Sequence, residues 1–186
     1  DIKNIFLVIF PEFKYLDRIE NFYYLIKKNT ILQTPEAIFS ILLIDETDNF
    51  EYFCHKYKVS NKLKNDLSFV ARNYKKFKEE KNYLKKDLKK NTYKLGKTNI
   101  KKFVTFLYCI EKGFSFNLLK KIIRDINEIK IPKFPFNGEY VMSRGLDGGK
   151  KIGFVLNELE KKWIENNFNL KDKEAISIVD KVKKLN

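Results

Sequence analysis

The chain has 186 residues, of which 44% are hydrophobic and 15% aromatic, a composition that excludes a disordered tail and allows one large or two small domains. Its formal net charge is +14. No apolar run approaches the roughly 18 to 20 residues of a membrane span, and no signal peptide is recognisable, so the sequence favours a cytoplasmic protein with no membrane partner. Cys54 and Cys109 lie far apart without companion histidines, which favours reduced core thiols over a zinc site.

The positive charge is concentrated in one segment. Residues 56–102 carry 17 basic and 4 acidic side chains, residues 1–55 carry 5 and 9, and residues 103–186 carry 16 and 11. A codon bias towards A and T is the alternative source of the many lysines, but it does not explain why the first 55 residues are acidic. Because a concentrated positive field attracts polyanions, the segment favours nucleic acid as a partner.

The first half of the chain shows apolar residues at helical spacing. After Pro11, a first helix is predicted from Leu16, Ile19, Phe22, Tyr23 and Ile26. Pro35 stands where a second helix would begin, because proline suits the first helical position. A short helix is predicted around 49–57.

A longer helix should follow Ser60, a suitable N-cap. Its apolar stripe consists of Leu63, Leu67, Val70, Tyr74 and Phe77. Its other face is basic and carries Lys62, Lys64, Arg72, Lys75, Lys76 and Lys78. Helical acid–base pairs within 75–81 and 84–90 would account for part of this charge as a solvated helix surface.

Two further helices are predicted behind Thr98 and Ser115 as N-caps, and the connector at 131–135, IPKFP, cannot be crossed by a helix. Strand alternation is almost absent. We therefore predict an all-α fold, an elongated or bent multi-helix bundle with no sizeable β-sheet. The expected domains are a helical body at 1–130, with the basic segment 56–102, and a glycine-rich corner plus C-terminal tail helices at 131–186.

The glycine-rich corner holds five of the seven glycines within the sixteen positions 138–153. Gly149 precedes a predicted helix whose first turn contains Lys150 and Lys151. Glycine permits positive φ and close backbone approach, while a helix N-terminus offers unpaired N–H groups and partial positive charge. Together these features are suited to holding a phosphate. The alternative is a helix–helix packing corner in which Gly153 permits close contact.

Residues 134–163 resemble the C-terminal part of bacterial CCA-adding tRNA nucleotidyltransferases and poly(A) polymerases. That family carries the stretch P-h-x-G-x-D-L-M-x-x-G-h-x-x-G-P-x-h-G-x-h-L-x-x-h-E-x-x-W. The positions that fit it without insertion are Pro135, Gly138, Met142, Gly145, Gly149, Gly153, Leu156, Glu160 and Trp163. The departures are Tyr140 for the acidic residue, Val141 for leucine and Lys150 for proline.

Two further fragments extend the resemblance. Residues 84–96, LKKDLKKNTYKLG, are similar to the family's L-R-x-x-L-Y-R-x-G segment, and residues 58–61 are similar to its R-L-S-N helix start. The three matches come in the family's order, so the resemblance covers most of residues 10–166.

The resemblance implies an all-helical body and tail that hold the acceptor arm of tRNA, while catalysis belongs to a head domain that binds Mg²⁺. No catalytic or metal-binding residues of that head are recognisable in this chain, which would be inactive alone, and no cofactor is expected in it. Asp45, Glu46 and Asp48 form the one tempting carboxylate cluster, but they fall between two predicted helices and favour an exposed loop.

The hypothesis makes RNA, above all tRNA, the partner of the chain, together with a separately encoded catalytic head as a further candidate. The predicted phosphate-binding residues are Lys75, Lys76, Lys78, Lys85, Lys86, Lys89, Lys90, Lys94, Lys97, Gly149, Lys150 and Lys151. The chain begins at Asp1 and holds a single methionine, Met142, which indicates that translation began upstream or that the start was removed. A truncated enzyme, a split enzyme and an inactive remnant therefore stay open.

Other chemistry is weakly indicated. Cys54 and His55 are adjacent, but neighbouring residues on a helix point about 100° apart, which argues against a nucleophile pair. Trp163 is expected in the core. Three tyrosines among the lysines are candidates for stacking on bases, namely Tyr74, Tyr83 and Tyr93. For Tyr74, amphipathic packing is an equal alternative. The rival functions are a free-standing helical nucleic-acid-binding module and a remnant or protein-interaction domain whose basicity is compositional.

Overall fold

A computed structural model describes residues 2–29, 34–80, 83–146 and 148–184, without the side chains at 2, 3, 85 and 86. Within these ranges the regular structure is α-helical and no strand occurs, which confirms the all-α prediction. None of the helices in these ranges has the length and apolar character that crossing a membrane requires.

The chain divides into two compact units, residues 1–129 and 130–186. The first unit contains α1 (Ile2–Ile9), α2 (Arg18–Lys27), α3 (Pro35–Leu43), α4 (Asn49–Lys56), α5 (Asn61–Glu79), α6 (Tyr83–Lys86), α7 (Leu88–Leu95), α8 (Lys97–Ile110) and α9 (Phe116–Glu128). The second unit contains α10 (Gly138–Met142), α11 (Lys150–Glu165) and α12 (Asp172–Lys183).

Local signals in the sequence set several helix starts. Pro35 is the first residue of α3, as predicted, and the Thr34 side chain accepts a hydrogen bond from the Ala37 N–H at 3.3 Å. The predicted caps Ser60 and Ser115 are both confirmed: each hydroxyl accepts from the N–H three residues later, at 3.3 and 3.2 Å.

The predicted cap Thr98 is wrong. Helix α8 begins at Lys97, and its N-cap is Gly96, which also ends α7. Gly96 has a φ of 82°, a left-handed conformation that favours glycine. The chain thus changes direction at the glycine, two residues before the threonine, and Thr98 lies exposed in the first turn of α8.

Helix α8 lies at the centre of the first unit, where it packs against α2, α3, α5, α7 and α9. Its predicted inward residues Ile100, Phe103, Val104 and Leu107 are all fully buried. Burying one such side chain stabilises the fold by about 1.5–3 kcal/mol, so this helix contributes a large part of the core energy. Both cysteines are buried in the same core, as predicted.

Helix α1 was not anticipated, because the apolar run at residues 5–10 shows no helical alternation. Phe6 and Phe10 pack their rings against Phe13, with centroids 5.7 and 5.9 Å apart. The neighbouring Glu12 is buried, and its carboxylate accepts from Lys56 Nζ at 2.7 Å. Burial alone would raise the pKa of Glu12, but hydrogen bonds from Lys56 and Tyr57 leave it lowered, so the carboxylate stays charged and ties this segment to α4.

The core of the second unit is formed by all three of its helices. Val141, Val155, Leu159, Ala175 and Val179 are completely buried. Trp163 is 3% exposed, as predicted, and its ring meets those of Phe134 and Phe168 with centroids 5.4 and 4.9 Å apart. The connector at 129–137 is not helical, as its prolines require.

Candidate nucleic-acid interface

The basic face of α5 points to solvent. Leu67, Val70 and Tyr74 are buried on one side of the helix, and the 3.6-residue period therefore places the basic residues on the other. All six members of this face are exposed, namely Lys62, Lys64, Arg72, Lys75, Lys76 and Lys78. The fold thus presents these cations along about 24 Å of helix, from Lys62 to Lys78 at ~1.5 Å per residue.

Parts of this positive charge are compensated within the chain. Lys78 Nζ lies 3.6 Å from Glu46 and 3.4 Å from Glu111, and 5.5 Å from the centre of the Tyr74 ring. Lys62 pairs with Glu36 at 2.7 Å. An RNA phosphate would have to compete with these carboxylates at both positions, whereas Lys75 and Lys76 form no ion pair with a described residue.

The segment after α5 is held in place by polar contacts. The Tyr83 hydroxyl donates to Asn73 Oδ1 at 2.5 Å, and Asn91 Nδ2 donates to the Tyr83 carbonyl at 3.0 Å. Burial raises the pKa of the Tyr83 hydroxyl, which keeps it protonated as a donor at neutral pH. These bonds fix α6 against α5 and α7 against α6. They thereby position the second group of predicted lysines, those between residues 85 and 97.

The lysines of this second group differ in environment. Lys89 and Lys94 on α7 are exposed, while Lys90 is half-buried and lies 3.6 Å from Asp87. Lys97, at the start of α8, is half-buried and donates to the Asn127 carbonyl at 2.9 Å. The predicted residues Lys85 and Lys86 belong to α6, and their side chains lie outside the described part of the structure.

Tyr74 is not a stacking platform. Its side chain is 7% exposed, its ring packs edge-on against Phe106, and its hydroxyl donates to Glu111 at 2.7 Å. The packing alternative is therefore correct for this residue. Tyr83 and Tyr93 are half-buried, and the Tyr83 ring packs edge-on against Phe103.

The glycine-rich corner in the second unit begins α11 as predicted. Gly149 is the N-cap residue with a φ of 91°, and no side chain caps the helix there. Lys150 and Lys151 follow directly, both are exposed, and the first turn contains no acidic residue. Lysines in a first turn oppose the helix dipole, so the corner combines a positive helix end with two further cations.

Packing does not explain most of these glycines. A Cβ atom placed on Gly148, Gly149 or Gly153 would meet no atom of the described residues within 4 Å. The expectation that Gly153 permits close packing is therefore wrong. A Cβ on Gly145 would lie 3.3 Å from Lys183 Nζ, the far end of a flexible chain. The left-handed backbone accounts for Gly145 and Gly149, and nothing among the described residues of the second unit requires a glycine at 153.

Tyr140 stands where the resembling family has an acidic residue. Its ring packs against Phe136, with centroids 4.6 Å apart, and the Arg144 guanidinium lies 3.5 Å above it. Arg144 also donates to the Tyr140 carbonyl at 3.1 Å. A stacked arginine thus takes the place of the ion pair that a carboxylate could make there.

The other candidates for chemistry are a loop of carboxylates and the two thiols. Asp45, Glu46 and Asp48 fall in the loop between α3 and α4, where Asp45 accepts hydrogen bonds from Thr47. Burial raises the pKa of the Cys54 thiol, and that of Cys109 to about 12, so neither is an ionised nucleophile at neutral pH.

Comparison with known proteins finds similarity over part of the chain. A stretch of 60 residues, 32% of this chain, is 27% identical to CCA tRNA nucleotidyltransferase 1, mitochondrial, of Homo sapiens, and 25% identical to the protein of the same name from Mus musculus. The match spans 14% of the length of each relative. No family model and no solved structure matches the chain. The similarity indicates a relationship to a CCA-adding enzyme, limited to this stretch.

Proposed function

We propose that this chain is the tRNA-binding body and tail of a class II CCA-adding tRNA nucleotidyltransferase, with nucleotide addition taking place on a separate head domain. The observation that carries the proposal is the 60-residue similarity to CCA tRNA nucleotidyltransferase 1. RNA, and tRNA in particular, is then the partner. The first unit is the body with the basic segment, and the second unit holds the glycine-rich corner and the tail helices.

The exposed lysines of α5 and α7 are the proposed contacts to the RNA backbone. Lys75 and Lys76 on α5 and Lys89 and Lys94 on α7 are exposed in the same unit, and both helices pack against α6 and α8. Duplex RNA is recognised mainly by its shape and its phosphates, for which flexible ammonium groups are suited. Lys78 should contribute less, because its ammonium group already lies near two carboxylates.

The glycine-rich corner is the proposed site for one further phosphate. The first N–H groups of α11 have no intrahelical acceptor, and Gly149 and Gly153 leave the helix surface free of side chains. Lys150 and Lys151 supply the countercharge. Binding an anion here would reverse the unfavourable interaction of these lysines with the helix dipole.

The salt dependence of binding tests this assignment. Affinity for a tRNA transcript without its 3′ CCA is measured by fluorescence anisotropy between about 50 and 300 mM salt, for the wild type and for the quadruple variant Lys75→Gln, Lys76→Gln, Lys89→Gln, Lys94→Gln. Each lost phosphate contact reduces the slope of log K against log salt by about 0.7–0.9, so the variant should lose roughly 3 in slope.

The matched control removes four exposed lysines elsewhere: Lys161→Gln, Lys173→Gln, Lys181→Gln and Lys184→Gln. It has the same net charge as the quadruple variant. An equal loss in both proteins would mean that binding follows total charge, and an affinity independent of salt would refute the assignment. Equal affinity for tRNA, duplex DNA and single strands would favour the free-standing nucleic-acid-binding module instead.

An addition assay tests the separation of binding from catalysis. The purified chain is incubated with labelled CTP, ATP and Mg²⁺ and with tRNA lacking its 3′ end. We expect tRNA binding without incorporation. Incorporation by the chain alone would overturn the proposal that catalysis belongs to another domain.

A further inference from the structure

Two helices of the first unit bring aromatic rings together on the protein surface. Tyr24 of α2 is 42% exposed, and its ring meets that of Phe116, the first residue of α9, edge-on with centroids 5.4 Å apart. The ring of Tyr108 on α8 also packs against that of Phe116, with centroids 6.1 Å apart. Three rings therefore lie close together outside the basic segment, with Tyr24 exposed and the other two half-buried.

Two of the three rings have a lysine nearby. Lys28 Nζ lies 5.7 Å from the centre of the Tyr24 ring, and Lys120 Nζ lies 5.5 Å from the centre of the Phe116 ring. In both cases the lysine follows its ring by four residues, Lys28 as the C-cap of α2 and Lys120 within α9, and this spacing places the two side chains on one face. The arrangement alternates flat apolar surfaces with positive charge.

A cleft of about 570 Å³ adjoins these rings. Tyr108 and Phe116 form part of its wall, and Asn21 of α2 lies opposite, where its Nδ2 donates to the Cys109 carbonyl at 3.4 Å. The volume falls within the range of roughly 300–1,000 Å³ that is typical of small-molecule sites. Its wall also carries charged side chains of both signs, among them Asp17, Arg18 and Lys112.

We propose that the Tyr24–Phe116 surface and the adjoining cleft bind unpaired nucleotides of an RNA strand. Proteins hold single strands by stacking bases on aromatic rings while cations follow the backbone, and both elements occur here side by side. Lys28 and Lys120 would contact the phosphates on either side of a stacked base. This inference rests on the proposed RNA-binding function and assigns to it a second class of contact, with single-stranded rather than duplex RNA.

Tyr52 supplies an internal comparison. It is 57% exposed on α4, and Lys56, again four residues later, lies 5.8 Å from its ring centre. However, no second ring packs against Tyr52 among the described contacts, whereas Tyr24 packs against Phe116, which lines the cleft. Tyr52 thus shares exposure and a neighbouring lysine with Tyr24, but lacks the packed rings and the cleft.

The test uses two RNA probes and the full chain. One probe is a single-stranded octamer of adenylate with a central 2-aminopurine, whose fluorescence is quenched by stacking, and the other is a blunt-ended RNA hairpin. We expect Tyr24→Leu to lower affinity for the octamer about tenfold and to abolish the quench, because leucine keeps apolar packing but has no ring. Tyr24→Trp should retain both, and Tyr52→Leu should match the wild type.

The outcomes separate this inference from the function on which it rests. If Tyr24→Leu binds both probes like the wild type, or if Tyr52→Leu loses as much, the subsite is refuted while hairpin binding keeps the proposed function. Equal losses for octamer and hairpin would also refute it, since the surface would then serve duplex RNA. If the wild type binds neither probe, both proposals fail. Unchanged far-ultraviolet circular dichroism of each variant confirms that it is folded.

Discussion

Helices α8 and α11 begin in the same way, yet only one of these helix starts is open to solvent. Both follow a glycine N-cap with positive φ, 82° at Gly96 and 91° at Gly149, and both have lysine as the first helical residue. Neither first turn contains an acidic residue. Helices α3, α5 and α9 instead begin with a threonine or serine hydroxyl that accepts an N–H, and α10 begins with the amide oxygen of Asn137 in the same role.

The two starts differ in what surrounds them. In α8 the ammonium group of Lys97 donates to the Asn127 carbonyl, and Ile100, four residues after the glycine, is fully buried. In α11 Lys150 is exposed, and the position four residues after the glycine is Gly153, where an added Cβ would meet nothing within 4 Å. The same glycine–lysine pair thus begins a packed helix at α8 and an open, positively charged helix end at α11.

The difference shows that a glycine–lysine helix start does not by itself indicate a phosphate site, because it also serves to pack two helices together. At α8 the tertiary contacts of the first unit satisfy the lysine and bury Ile100, so a packing role is sufficient. At α11 the side chain of Lys150 is exposed, and a Cβ added to Gly153 would meet no described atom within 4 Å. The open start is therefore the better candidate for an external phosphate, and the predictions for the N-cap glycines and for the lysines pair a change at α11 with its counterpart at α8.

The largest expected effect is on stability, from replacing the N-cap glycines. Backbone in this region of positive φ is reached almost only by glycine, so Gly96→Ala and Gly149→Ala should each lower the free energy of unfolding by about 1–3 kcal/mol. Urea unfolding measures this, with the fluorescence of Trp163, the only tryptophan, reporting on the second unit and circular dichroism on both.

Gly113→Ala is the matched control. Gly113 lies in open space without a positive φ, so alanine there should change stability by less than about 0.5 kcal/mol. Only Gly149→Ala should move the Trp163 transition. A neutral Gly149→Ala would mean that the backbone at this corner does not require glycine.

The next effect concerns RNA. The double variant Lys150→Gln, Lys151→Gln removes two proposed phosphate contacts and should lower affinity for tRNA by about tenfold or more near 0.1 M salt. Lys97→Gln at the packed start should leave affinity unchanged, because that ammonium group is held by Asn127. Anisotropy titrations compare the three proteins. Equal losses would show that the environment of the helix start does not decide which lysine meets RNA.

A smaller effect is expected from Gly153→Ala, which should raise the stability of the second unit but lower its affinity for tRNA. Alanine is favoured over glycine inside a helix by roughly 0.5–1 kcal/mol, and the added methyl group meets no neighbour, so Gly153→Ala should stabilise the second unit. If an RNA backbone approaches the helix here, the same methyl group should weaken tRNA binding severalfold. A stabilised variant with unchanged affinity would remove Gly153 from the site.

The parts of the fold that the sequence predicted depend on local interactions. Ser60 and Ser115 were identifiable as caps because the hydroxyl and its N–H donor lie three residues apart. Thr98 looked equally suitable, but the backbone turn at Gly96 begins the helix earlier, and the conformation of a glycine is not readable from a side-chain pattern. Helix α1 escaped prediction since its residues 5–9 are all apolar and show no helical alternation.

The parts of the candidate site that escaped prediction depend on distant residues. Lys78 belonged to the basic face of α5, but its partners Glu46 and Glu111 come from other elements. Tyr74 could be assigned to the core only through its contacts with Phe106 and Glu111. The Tyr24–Phe116 pair joins residues 92 positions apart, a distance over which no periodicity in the sequence carries information.

The smallest expected effect is the most specific to the comparison, because one substitution should have opposite signs at the two starts. Lys150→Gln removes a cation from a first turn where it opposes the helix dipole, so it should stabilise the second unit by about 0.3 kcal/mol at low salt and by nothing near 1 M salt, where the interaction is screened. Lys97→Gln should instead destabilise the first unit by about 0.5–1 kcal/mol, since the Asn127 carbonyl loses its donor. Urea unfolding at both salt concentrations measures the two changes. If Lys150→Gln destabilised the second unit, the ammonium group of Lys150 would be held within the protein, as that of Lys97 is. It would then not be available to a phosphate.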